Sequence, residues 1–108
     1  MLTDFYRQID LLNREFGLEI DPDTIQNIYG PDVVERMAEM TEDVTENIRF
    51  LVALGFGEDV SDICNRFGIL LCQDRADFRH QVKTLIRDLG YDYVNRLAED
   101  MSLWEKLL

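Results

Sequence analysis

The ends of the helices, and not only their apolar faces, recur along this chain, and that recurrence constrains its fold more than any other feature. Sliding the sequence by 38 residues sets Phe16 on Leu54, Gly17 on Gly55, Leu18 on Phe56, Ile25 on Ile63, Tyr29 on Phe67, Gly30 on Gly68 and Val33 on Leu71. Met40 then meets Phe78, Val44 meets Val82, Ile48 meets Ile86 and Leu51 meets Leu89. Apolar coincidences are common between any two helical stretches. Two glycines landing together mean that the stops recur as well. A shorter third copy follows, with Leu54-Gly55-Phe56 returning 35 residues later as Leu89-Gly90-Tyr91. At an offset of 34, Val60, Ile63, Cys64 and Phe67 align with Val94, Leu97, Ala98 and Met101.

The unit is a long helix, a glycine turn, a short helix and a second glycine turn, with copies at about 3–30, 31–68 and 69–108. One such hairpin cannot bury its apolar face alone, so neighbouring copies must stack and share a core. The prediction is an all-α fold of about six helices, one domain over residues 1–108, forming a compact bundle or short solenoid of degenerate helical-hairpin repeats. A hydrophobic content of 46 % in 108 residues is enough for one core without disulfides or metal.

Helix limits follow from stripes and stops. Phe5, Ile9, Leu12 and Phe16 lie on one face of a helix over 3–16, closed by Gly17. Asp21-Pro22 starts a two-turn helix with Ile25, Ile28 and Tyr29 on its apolar face. Val33, Met37, Met40, Val44, Ile48 and Leu51 predict one long helix over 31–54. Asp59 is placed as the cap of a short helix carrying Val60, Ile63, Cys64 and Phe67. A fifth helix begins near Asp74, with Phe78, Val82, Leu85, Ile86 and Leu89 inward, and a sixth runs from Asp92 to the end. No segment alternates with period two, so no strand is predicted.

The segment from Ile48 to Leu71, which reads FLVALGFGEDVSDICNRFGILL from Phe50 on, resembles the repeat of the mitochondrial transcription termination factor family. In that repeat a Leu-Gly-hydrophobic turn precedes a short helix, a small residue and a Leu pair, and about 90 residues of this chain fit the pattern loosely. Gly68 stands where the family has proline. The family's basic nucleic-acid groove and transit peptide are also not matched here. The resemblance implies the architecture alone and assigns no functional residue.

Charge narrows the partners. The formal charge of −11 comes from 22 acidic and 11 basic residues, which disfavours anionic lipid and nucleic acid. Residues 1–62 hold 15 acids against four Arg, whereas residues 63–108 hold seven of each sign. The long 31–54 helix carries Glu35, Glu39, Glu42 and Glu46 at helical spacing, predicting a continuous acidic ridge facing solvent, either a solubilising face or a ridge that docks a basic protein partner or the basic strip of another copy. At the C-terminus, Leu103 and Leu107 point away from the main stripe and Trp104 lies at its margin. They predict either an exposed apolar interface or a last turn folded back over the body. Arg75, Arg79, Lys83 and Arg87 form a basic strip, expected to be solvated or paired within the molecule and also the basis of an alternative in which a helical-repeat or helix-turn-helix-like protein binds nucleic acid, with 59–69 as first helix and turn. A further alternative is an acidic decoy that occupies another protein's nucleic-acid groove.

Catalytic and metal signals are weak. Asp77 and His80 supply two ligands, fewer than a protein metal site takes. Cys64 and Cys72 are eight apart, outside the short ligand spacings, and Cys64 falls on an apolar face. Asp21, Asp23 and Asp32 lack the glycine and spacing of a calcium loop. No glycine-rich phosphate loop or nucleophile elbow occurs. The expectation is a non-enzymatic, cofactor-free, metal-free interaction or regulatory module. Without a leader or membrane-length apolar run, it is expected in the cytoplasm.

Overall fold

Asp21 and Asp74 show how the sequence starts its helices. The Asp21 carboxylate accepts the Asp23 N–H at 3.0 Å, and that of Asp74 accepts the N–H groups of Ala76 at 3.0 Å and Asp77 at 3.4 Å. Each satisfies donors that a first turn leaves free. In a computed structural model, which describes residues 2–108, the helices are α1 (Leu2–Phe16), α2 (Pro22–Tyr29), α3 (Pro31–Glu39), α4 (Thr41–Ala53), α5 (Asp59–Arg66), α6 (Arg75–Leu89) and α7 (Tyr93–Glu99). Two 3-10 segments, Gly68–Leu71 and Met101–Leu107, complete the order. Among the described residues there is no strand, and the fold is all-helical.

The long helices lie side by side, with α4 packed against both α1 and α6, while the short α2 packs on α5. α3 fills the space beside α1 and α2. Their inward faces, including Phe5, Ile9, Leu12, Ile25, Met37, Ile48, Leu51, Phe78 and Leu97, merge into one hydrophobic cluster. The radius of gyration is 13.1 Å, close to the value of about 13 Å for a compact chain of this length. Gly17, Gly55 and Gly90 follow the three long helices with φ of 66°, 91° and 88°. That left-handed region favours glycine, which has no Cβ to clash.

Three sequence expectations are corrected. The 31–54 helix is two helices, broken at Met40 (φ −109°, ψ 31°), where the Thr41 hydroxyl donates to the Ala38 carbonyl at 2.6 Å. The last helix stops at Asp100 (φ −137°, ψ 86°), whose carboxylate accepts the Ser102 N–H at 3.1 Å and starts the final 3-10 segment. Six helices thus become seven α-helices and two 3-10 segments among the described residues. Asp59 does not cap α5 through its side chain. It lies inside the first turn, where its charge complements the helix dipole.

Gly30 and Gly68, paired by the 38-residue shift, do different work. Gly30 turns the chain at φ 93°, whereas Gly68 is buried and starts a 3-10 segment. A Cβ on Gly68 would sit 2.8 Å from Cγ2 of the fully buried Ile25, so this glycine permits close packing between the α5 end and α2.

Polar clasps fix the loops. Asn13 donates to the Ile20 carbonyl at 2.9 Å and accepts the Ile20 N–H at 3.0 Å. From α5, Asn65 donates to the Glu19 carbonyl (3.0 Å) and accepts the Asp21 N–H (2.8 Å), while Ser61 Oγ accepts the Glu19 N–H (2.9 Å). Buried Asn47 donates to the carbonyls of Leu71 (3.1 Å) and Gln73 (3.0 Å), tying α4 to the approach of α6. Such bonds satisfy backbone groups that no helix pairs.

Candidate interaction surface

The acidic residues of the former 31–54 helix divide with it. On α4, Asp43 Oδ1 accepts the Arg75 Nε–H at 2.8 Å, and Glu42 lies 3.8 Å from the same guanidinium. Glu46 lies 4.0 Å from Arg79. The hydrogen bond from Arg75 to Asp43, aided by the surrounding carboxylates, raises the guanidinium's already high pKa. Arg79 also sits over the Phe50 ring at 5.2 Å. The packing of α6 on α4 therefore turns half of the acidic ridge and half of the basic strip toward one another.

This corrects the expected continuous ridge and shows the basic strip partly paired within the molecule. The ridge Glu35, Glu39, Glu42, Glu46 is not continuous, because the break at Met40 separates the α3 pair from the α4 pair. The strip Arg75, Arg79, Lys83, Arg87 is not free. Its first two members face carboxylates on α4, and Arg87 lies 4.0 Å from Asp88, leaving Lys83 without a described ion pair.

Glu35 and Glu39 remain. Both are exposed on α3, and neither pairs with a described cation. With Leu2 and Thr3 of α1 and Ala38 of α3 they line a shallow groove of about 360 Å³. Leu2 and Ala38 provide apolar surface there, beside two carboxylates that stand in solvent. An amphipathic, positively charged segment is complementary to that combination.

The C-terminal anchors are also revised. Trp104 is fully buried, its ring meeting Phe56 edge-on with centroids 5.5 Å apart, and Leu103 and Leu107 pack half-buried against the same core. The break at Asp100 redirects the last segment, so the fold-back alternative describes this end of the chain. Tyr93 adds a second edge contact to Phe56 at 5.8 Å, and its hydroxyl donates to the Leu54 carbonyl at 2.6 Å.

Two side chains missed in the sequence organise the region around these groups. Asn47 was hidden because a polar residue on an apolar stripe is read as an interruption, yet its amide holds the α6 approach in place. Phe50, flanking the core stripe, offers its ring to Arg79 and its edge to Phe78 at 6.4 Å. Both thiols are buried and unpaired with each other. Burial pushes Cys64 far above its ordinary value, and Cys72 is pushed up to about 11, again chiefly by burial. Among the described residues no three His, Cys, Asp or Glu side chains gather where they could hold a metal, and no helix is long and apolar enough to cross a membrane. No protein-family model, curated protein or solved structure matches the chain.

Proposed function

We propose that the chain is a non-catalytic interaction module, built from three stacked helical hairpins, that docks a basic amphipathic helical segment of a partner protein on α3. The units are the consecutive helix pairs α1 and α2, α4 and α5, and α6 and α7, with α3 and the first 3-10 segment placed around the middle pair. The observation that carries the reading is the split of the acidic side chains. Glu42, Asp43 and Glu46 lie near or bonded to guanidinium groups within the molecule, whereas Glu35 and Glu39, with no ion pair among the described residues, stand beside the apolar groove of Leu2 and Ala38. Free carboxylates guide encounter with a cation and set orientation, and the apolar floor contributes contact area.

A nucleic-acid role for the Arg75 to Arg87 strip loses support from the same split, since phosphate would have to displace carboxylates already in place. The decoy reading shares the free carboxylates and differs in its partner. It predicts that a folded nucleic-acid-binding domain competes for α3. The test is a titration of a Lys- and Arg-rich amphipathic peptide against the wild type and the Glu35→Lys/Glu39→Lys variant. Binding in the micromolar range, roughly tenfold or more weaker for the variant, supports the reading. No binding at low salt, or equal binding by the variant, overturns it.

A further inference from the structure

Two flanks of α6 meet different surroundings. Arg75 and Arg79 turn toward the carboxylates of α4. A second flank, carrying Gln81, Leu85 and Asp88 at steps of four and three residues, faces the end of the chain, where Lys106 and Leu107 help to line a cleft of about 560 Å³. That volume lies within the range of small-molecule sites. Leu85 is buried and Leu107 half-buried, so the two supply apolar surface, while Asp88 and Lys106 are exposed.

The two charges of the cleft are opposite, yet they do not satisfy each other. Lys106 forms no ion pair among the described residues, and the cation described beside Asp88 is its chain neighbour Arg87, at 4.0 Å. Gln81 adds an acceptor. Its Oε1 is shielded from solvent and takes no hydrogen bond from any described group, and an acceptor left in that condition is costly. One cleft therefore offers a cation, an anion, an unused acceptor and two leucine side chains.

We propose that this cleft binds a free aliphatic amino acid, its carboxylate held by Lys106, its ammonium group by Asp88 and Gln81, and its side chain by Leu85 and Leu107. Charge selects the zwitterion. A simple carboxylate would enter against the chain's formal charge of −11, and a simple amine would be drawn as well to the many carboxylates of the first half. A molecule with no net charge escapes both effects, and its two ends match the separated Lys106 and Asp88. Exposed charges contribute little singly, so the apolar contact and both ends must act together. The cleft is separate from the α3 groove and does not depend on it.

The test is a titration of the isotope-labelled full chain with L-leucine, up to about 20 mM, followed by amide chemical shifts. The shifts are expected to be confined to the two elements that line the cleft and to saturate with a Kd of about 1 mM. Asp88→Asn and Lys106→Gln, both changes at exposed side chains, each weaken binding about fivefold. The analogues assign the two ends. N-acetyl-leucine, which lacks the ammonium group, binds the wild type more weakly than leucine does and is indifferent to Asp88→Asn. Leucinamide, which lacks the carboxylate, is weakened likewise and is indifferent to Lys106→Gln. No saturation with leucine, shifts confined to other elements, wild-type affinity in either variant, or an analogue that occupies the cleft as tightly as leucine overturns the proposal.

Discussion

The indole of Trp104 closes edge-on over the ring of Phe56, 5.5 Å between centroids, and so pins the end of the chain to the turn that joins α4 to α5. Forty-eight residues of sequence separate the two rings. Aromatic pairs in this arrangement add to the area that they bury. Truncating Trp104 to Ala removes the largest fully buried side chain and is expected to destabilise the fold by about 3 to 5 kcal/mol. Urea unfolding followed by circular dichroism measures the loss. A change below about 1 kcal/mol would mean that the final segment contributes little to the core.

Gly68→Ala tests the close approach of α5 and α2. The added methyl meets the Ile25 side chain at 2.8 Å, and overpacking of this kind costs about 1 to 3 kcal/mol. Combining it with Ile25→Ala should destabilise less than the two single changes summed, because the clash is removed. Gly55→Ala is the contrast. Nothing lies within 4 Å of its Cβ, and the cost there, about 1 to 2 kcal/mol, comes from φ 91° alone, so no partner substitution relieves it. Additive behaviour of Gly68→Ala with Ile25→Ala would contradict the packing role.

The thiols give a pH dependence with a definite sign. Cys72 holds its proton more tightly when folded, at about 11 against 9.0 in the unfolded chain. Its contribution to stability is therefore complete below pH 9.0 and is lost as pH rises toward 11. Stability of Cys72→Ala, measured by urea unfolding across that range, should fall less steeply than that of the wild type. Neither thiol should react with a disulfide reagent at pH 8 until urea unfolds the chain. Rapid labelling of the native protein would contradict the burial assigned to both.

Much of the helical plan was legible. The stripes of α1 and α6, the caps Asp21 and Asp74 and the glycine stops are local signals, and local signals survive folding. The two breaks were also written locally but masked by apolar periodicity. Thr41-Glu42-Asp43 is an N-terminal pattern inside a continuous stripe, and Asp100 two residues before Ser102 is a cap inside another. The surfaces were harder to read. Whether Trp104 faces water depends on the turn at Asp100, and whether Glu42 or Glu46 is free depends on α6 lying against α4. Both are long-range facts, and spacing along one helix is silent about them. Gly30 and Gly68 show the same limit, since equal positions in a repeat can demand glycine for a turn in one copy and for close packing in another.

The interaction reading stands on the difference between free and paired carboxylates, and two charge-matched variants isolate it. Glu35→Gln/Glu39→Gln and Glu42→Gln/Glu46→Gln each remove two negative charges, one pair from the open groove and one from the guanidinium groups of α6. Isothermal titration of both with the basic amphipathic peptide at moderate salt is the decisive comparison. Binding should weaken about tenfold for the first variant, equivalent to about 1.4 kcal/mol, and less than about twofold for the second. Equal weakening in the two variants would mean that the peptide reads only the overall negative charge, and the assignment of the site to α3 would fall.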